Sequence, residues 1–131
     1  MGYRQVELES PTLHIDAVTR SFQEVRRRWP WDPPWLDTAL AERYRREYAA
    51  ADLIRVPSEL AWESFVQAGI PEQKLQRREL RIPARYQPAA PERRSACRIA
   101  CVGLISAGKG IPVLLDAFSR LLEHDWELWL L

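Results

Sequence analysis

The segment of this chain best suited to chemistry is Gly103-Leu-Ile-Ser-Ala-Gly-Lys-Gly110. Glycines let a backbone approach a ligand closely, and Lys109 adds a full positive charge within the same few residues. Such a loop suits a phosphate when it follows a strand and opens a helix, because the helix's first N–H groups and its dipole favour an anion. The flanking residues fit that placement. Cys97–Val102 reads as a strand, and Pro112 opens a helix with Leu114, Leu115, Phe118, Leu121 and Leu122 on one face. Trp126–Leu131 reads as a further strand. A strand–loop–helix–strand unit is the repeat of parallel α/β sheets, in which ligands bind beyond the C-terminal strand ends.

Other chemistry-bearing side chains are sparse. Cys97 and Cys101 alternate with Ile99 onto one strand face, with no histidine or second cysteine pair nearby to complete a zinc site. They read as small core residues, and no metal site is expected. His14 and His124 are isolated, and a helix-end or surface place is expected for both. No nucleophile motif accompanies either. Trp29-Pro-Trp-Asp-Pro-Pro-Trp35 could stack sugars or act as a proline-rich ligand, but loop tryptophans more often fold back onto a core.

The elements that must position these residues follow from periodicity. Ser10-Pro11 has the form of a helix start, and Ile15, Val18, Phe22, Val25 and Trp29 then form one apolar stripe. A second helix is expected over 37–50, with Leu40, Tyr44 and Tyr48 on one face. Asp52-Leu-Ile-Arg-Val56 reads as a buried parallel strand, and Ser58 caps a helix carrying Leu60, Trp62, Phe65 and Val66 that stops at Gly69. Gln76–Ile82 reads as another strand. Pro83–Ser95 has three prolines and little to bury, which marks a linker. The organisation expected is 1–82 as one part, 83–95 as the linker, and 96–131 as the first strand–loop–helix–strand unit of a second part. The fold class is α/β.

Composition bounds the function. The chain has 131 residues, 28% of them charged, and a formal net charge of +1. It has no run approaching the roughly 20 apolar residues of a membrane span. Near-neutrality argues against generic nucleic-acid binding, which depends on neutralising phosphates. Residues 74–98 nevertheless hold eight basic groups against Glu79 and Glu92. That stretch could attract phosphates or an anionic membrane surface, although charge runs of this kind usually form a solvated face. The start, Met1–Glu7, shows no apolar signal core, so a cytoplasmic location is expected.

Two patterns share the glycine loop. Gly103, Gly108 and Lys109 fit the nucleoside triphosphatase loop G-x-x-x-x-G-K-[ST], but Gly110 stands where Ser or Thr would hold magnesium. The second match is longer. Ala51-Asp-Leu-Ile-Arg-Val-Pro-Ser58, Phe65-Val66, Gly69-Ile-Pro71, Lys74-Leu75, Tyr86-Gln-Pro88, Val102-Gly103, Lys109-Gly110 and Leu114-Leu-Asp-Ala-Phe118 occur in the order found in family 4 retaining glycosyltransferases. The chain resembles that family over roughly residues 40–131. The resemblance implies two Rossmann-like domains with a cleft between them, and transfer of a glycosyl group from a nucleotide-diphosphate sugar to an acceptor with retention. It implies that Lys109, with Gly103 and Gly110, contacts the donor diphosphate, and that the donor is the only small molecule required, with no further cofactor.

Leu104 stands where the family commonly has arginine. The glycine-rich loop that opens the family's acceptor domain and its ribose-binding carboxylates have no counterpart here, so the segment is expected to be a fragment, inactive alone. Catalytic residues, donor sugar and acceptor are not assigned. The alternatives are a standalone α/β binding or interaction module, acting through the tryptophan loop or residues 74–98, and a degenerate phosphate-loop nucleotide binder.

Overall fold

In a computed structural model, residues 5–32, 36–79, 81, 83, 85–86, 97–121 and 125–131 are described. The chain divides into two compact units. The first comprises 1–24 and 34–83, and the second 25–33 and 84–131. Most of the 83–95 linker lies outside the described residues, as do Trp35, Ile82, Leu122 and His124.

The first unit is built on a parallel sheet in the order β1 (Glu7–Glu9), β2 (Leu53–Val56), β3 (Leu75–Arg77). Parallel neighbours need a crossover, and helices supply it here. α1 (Ile15–Arg28) and α2 (Thr38–Ala50) lie between β1 and β2, and α3 (Glu59–Gln67) lies between β2 and β3. In the register, Leu8 faces Ile54 and Ile54 faces Leu75, so one apolar row crosses all three strands. Side chains alternate along β2: Ile54 and Val56 are fully buried, while Leu53 and Arg55 on the opposite face are half-buried. Ile15, Ala41, Tyr48, Ala51, Ala61 and Phe65 complete the core.

Local chemistry sets the ends of these elements. The Asp37 carboxylate accepts from the Leu40 N–H at 2.7 Å, and the Ser58 hydroxyl accepts from the Ala61 N–H at 3.2 Å. Gly69 takes a left-handed φ of 86°, which lets the Ile70 N–H reach back to the Phe65 carbonyl and close α3. Lys74 Nζ then donates to the Ala51 carbonyl at 2.8 Å, just past the end of α2. The Gly69-x-Pro71-x-x-Lys74 turn is thus a clamp between α3, β3 and the C-terminal end of α2.

Several expectations are corrected. α1 begins at Ile15, not at Ser10-Pro11, because the Ser10 N–H donates to the Arg55 carbonyl at 2.9 Å and prolongs the β1–β2 pairing. β1 itself was not expected, since three residues are too few to display a period. β3 ends at Arg77 rather than Ile82, where its partner β2 has already reached Val56. Leu60 is 64% exposed; the inward face of α3 is Ala61, Ser64 and Phe65.

His14 sits at the helix end expected for it, immediately before α1, but it is buried. It is 4% exposed, packed against Tyr48 and edge-on to Phe65, with ring centroids 4.9 and 5.1 Å away. Its Nδ1 accepts from the Asp16 N–H at 3.2 Å and so caps α1, while its own N–H donates to the Ser64 hydroxyl at 2.8 Å. Burial holds the imidazole below the usual histidine value of about 6.5. The Asp16 carboxylate opposes this shift, and Arg45 and Arg20 reinforce it. Burial also raises the Tyr48 hydroxyl to about 12, against hydrogen bonding with Ser10 and the Ile15 backbone.

The second unit carries a two-stranded parallel sheet, β4 (Cys97–Cys101) and β5 (Trp126–Leu130), joined through α4 (Ile111–Ser119). Cys97 is exposed and Cys101 half-buried, correcting their expected burial. A pair of strands cannot cover both of its faces, and Val102, Trp129 and Leu131 are exposed too. Arg98 spans the pair, bonding Glu127 at 2.6 Å and lying 3.8 Å over the Trp129 ring.

Two outcomes test the core of the first unit. Phe65→Ala is expected to cost about 3–5 kcal/mol, read as faster hydrogen exchange at the β2 amides. A histidine held below its unfolded value stabilises the fold at neutral pH, and that contribution fades as pH falls through about 6.5 toward the folded value. Stability of the first unit should therefore drop over this interval. In His14→Gln, which cannot titrate, the drop should be smaller; an unchanged pH profile would contradict the assignment.

Candidate functional site

The loop singled out in the sequence joins β4 to α4 in the second unit, at the C-terminal end of β4. Gly103 has φ 141° and Gly110 has φ 76°, both in the region where side chains are disfavoured. Between them, Ala107–Lys109 forms one 3-10 turn, and Gly110 ends that turn and begins α4. Lys109 and Gly108 face solvent, whereas Ser106 and Ala107 point inward at 8% and 3% exposure. The three expected residues, Gly103, Lys109 and Gly110, thus belong to one short turn.

Half of the loop's backbone donors, those of Gly103, Ala107, Lys109 and Gly110, are already used. The Gly103 N–H donates to the Leu131 carbonyl at 2.8 Å, fastening the loop to the end of β5. Lys109 and Ile111 both donate to the Ser106 carbonyl, and Gly110 donates to the Ala107 carbonyl. The Ala107 N–H has a different partner: it donates to Asp32 Oδ1 at 2.9 Å. Asp32 is 3% exposed and belongs to the tryptophan–proline segment that follows α1. The Ala107 amide is therefore held by the chain's own carboxylate, and the Lys109 ammonium is the exposed charge of the loop.

Sequence reading missed Asp32. It lies 75 positions before Ala107, and an aspartate between tryptophan and proline reads as ordinary turn chemistry. The tryptophans beside it divide. Trp29 is half-buried with the Arg28 guanidinium 4.8 Å over its ring, and Trp31 is 65% exposed instead of folding onto the core. Among the described residues, no group of three or more histidine, cysteine, aspartate or glutamate side chains could hold a metal ion. No helix is long and apolar enough to cross a membrane, again among the described residues. No family model, no curated protein and no solved structure matches the chain.

The Asp32–Ala107 bond is testable. Asp32→Ala leaves a buried N–H without its acceptor and should destabilise the second unit by about 1–3 kcal/mol. Asp32→Asn keeps an acceptor oxygen and should lose less. Thermal unfolding in which both variants lose equally would contradict the bond.

Proposed function

We propose that the chain is part of a retaining glycosyltransferase in which the Gly103–Gly110 loop holds the diphosphate of a nucleotide-sugar donor. The observation that carries this reading is the placement of Lys109. An exposed cation stands on a tight, glycine-bounded turn at the C-terminal end of a parallel strand. In α/β folds this edge is where ligands collect. The ordered motif resemblance over residues 40–131 supplies the reaction class.

The chemistry is consistent with the charge. When the bond between the anomeric carbon and the donor phosphate breaks, the leaving diphosphate gains negative charge. A fixed ammonium beside it stabilises that state more than the bound donor, which is the condition for rate acceleration. Gly103 and Gly110 hold the loop in a shape that a side chain at either position would strain. The acceptor is a second ligand, and its identity is not specified by this loop. Contact of the parent protein with a membrane surface is compatible with the basic residues between 74 and 98. A cytoplasmic location belongs to the same proposal.

Calorimetry with uridine and guanosine diphosphates, without added metal, tests the loop on the full chain. Binding is expected with wild type, and Lys109→Ala should weaken it by about tenfold or more, the order of a lost charge-assisted hydrogen bond. Equal binding by wild type and Lys109→Ala would refute the site. Preference for adenosine triphosphate over both diphosphates would favour the degenerate phosphate-loop alternative.

A further inference from the structure

The first unit contains a cleft of about 970 Å³ that belongs to no residue of the Gly103–Gly110 loop. It is lined by Glu9, Ser10 and Pro11 after β1, by Arg55, Val56 and Pro57 at the end of β2, and by Arg77, Arg78, Glu79 and Arg81 at and beyond the end of β3. All three parallel strands thus deliver their C-terminal ends to one opening, the edge where open α/β sheets bind ligands. Its volume lies at the upper end of the roughly 300–1,000 Å³ usual for small-molecule sites.

The lining includes four arginines against two glutamates. Their partners are arranged unevenly. Arg55 is bonded to Glu7 at 2.6 Å and to Gln76 at 3.1 Å, and Arg77 pairs with Glu59. Neither Glu7 nor Glu59 lines the cleft; Glu7 orients the partly buried Arg55, whereas Arg77–Glu59 is an exposed pair. Arg78 bonds Glu9 at 2.9 Å in an exposed pair, a kind of contact that opens at little cost. Each guanidinium carries five N–H donors, and none of these contacts uses more than two. Neighbouring arginines with spare donors suit a phosphate dianion, which takes several hydrogen bonds from planar groups at once.

We propose that this cleft binds the phosphomonoester group of a small soluble ligand, with Arg78 and Arg81 as its principal donors and Arg55 and Arg77 adding positive charge beside them. The recessed volume favours a small solute over a membrane surface. The site stands independently of the glycosyl-transfer reading, because its residues and those of the loop do not overlap.

Calorimetry of the full chain with inorganic phosphate, glucose 6-phosphate and glucose tests the proposal. Phosphate and glucose 6-phosphate should bind and glucose should not, with affinity falling as salt is raised. Arg78 and Arg81 are exposed, so their replacement leaves the core intact. The double variant Arg78→Gln/Arg81→Gln should weaken glucose 6-phosphate at least about tenfold, with unchanged far-ultraviolet circular dichroism. Lys109→Ala should leave it unaffected, which separates failure here from failure of the donor loop. Binding unaffected by the double variant, or no binding of either phosphate compound, would overturn the proposal. Binding only to vesicles containing phosphatidic acid would overturn the soluble-ligand assignment and make the face a membrane contact.

Discussion

Parallel strand pairing is the constraint on which the rest of this structure depends. A strand can pair in parallel with the next only after the chain has crossed back, and in both units helices make that crossing. The result is directional. Every strand of the first sheet ends on one edge: Ser10 and Arg78 each donate one last bond to β2, at the Arg55 and Val56 carbonyls, and Pro11 and Pro57 stand where β1 and β2 stop. Proline cannot continue a ladder, and the polar residues there find no apolar partner. Polar and charged residues therefore gather at this edge, where the three strands end.

The opposite requirement is that the crossing helices be fastened to the sheet, and the first unit does this with polar bonds set into apolar packing. His14 caps α1 through its ring, bonds Ser64 on α3 through its backbone, and stacks with Tyr48 of α2 and Phe65 of α3. Lys74 ties the turn before β3 to the residue that follows α2. Among the described residues no buried side-chain nitrogen or oxygen lacks a partner. This matters because a half-satisfied polar group in such a core costs more than an apolar one. It also gives the Gly69–Lys74 motif a structural meaning. The glycine supplies a left-handed turn, the proline opens the 3-10 turn, and the lysine closes it on a helix end.

What could be read from the residues alone follows the length of each signal. α2 and α3 were legible because Asp37, Ser58 and Gly69 mark their ends with side-chain and φ chemistry confined to a few residues. β2 was legible because three apolar positions, Leu53, Ile54 and Val56, stand within four residues before a proline. β1 was not, because three residues with two glutamates show no pattern until Leu8 is seen beside Ile54. The Gly103–Gly110 turn was legible as a turn, since its glycines do adopt positive φ. Asp32 and the arginine cleft were not, because both are products of topology: one joins residues 75 apart, the other gathers three strand ends. The basic stretch beginning at Lys74 was visible as charge but not as arrangement. Lys74 is spent on carbonyls, Arg77 and Arg78 pair with Glu59 and Glu9, and Arg98 lies over Trp129.

These placements also decide how each unit can hold an anion. In the second unit the helix-start geometry is favourable, yet half of the loop's backbone donors are consumed and a buried carboxylate stands behind Ala107. An anion bound there would meet one lysine ammonium, a strongly hydrated group that loses rotamer freedom when it binds. In the first unit the donors are planar guanidiniums, and that of Arg55 is held by a carboxylate outside the cleft. Pre-ordered donors give up less entropy on binding than a free chain does. For the same phosphate charge, the arginine cleft has the greater share of its ordering completed before the ligand arrives. The lysine turn must supply most of its own ordering at the moment of contact.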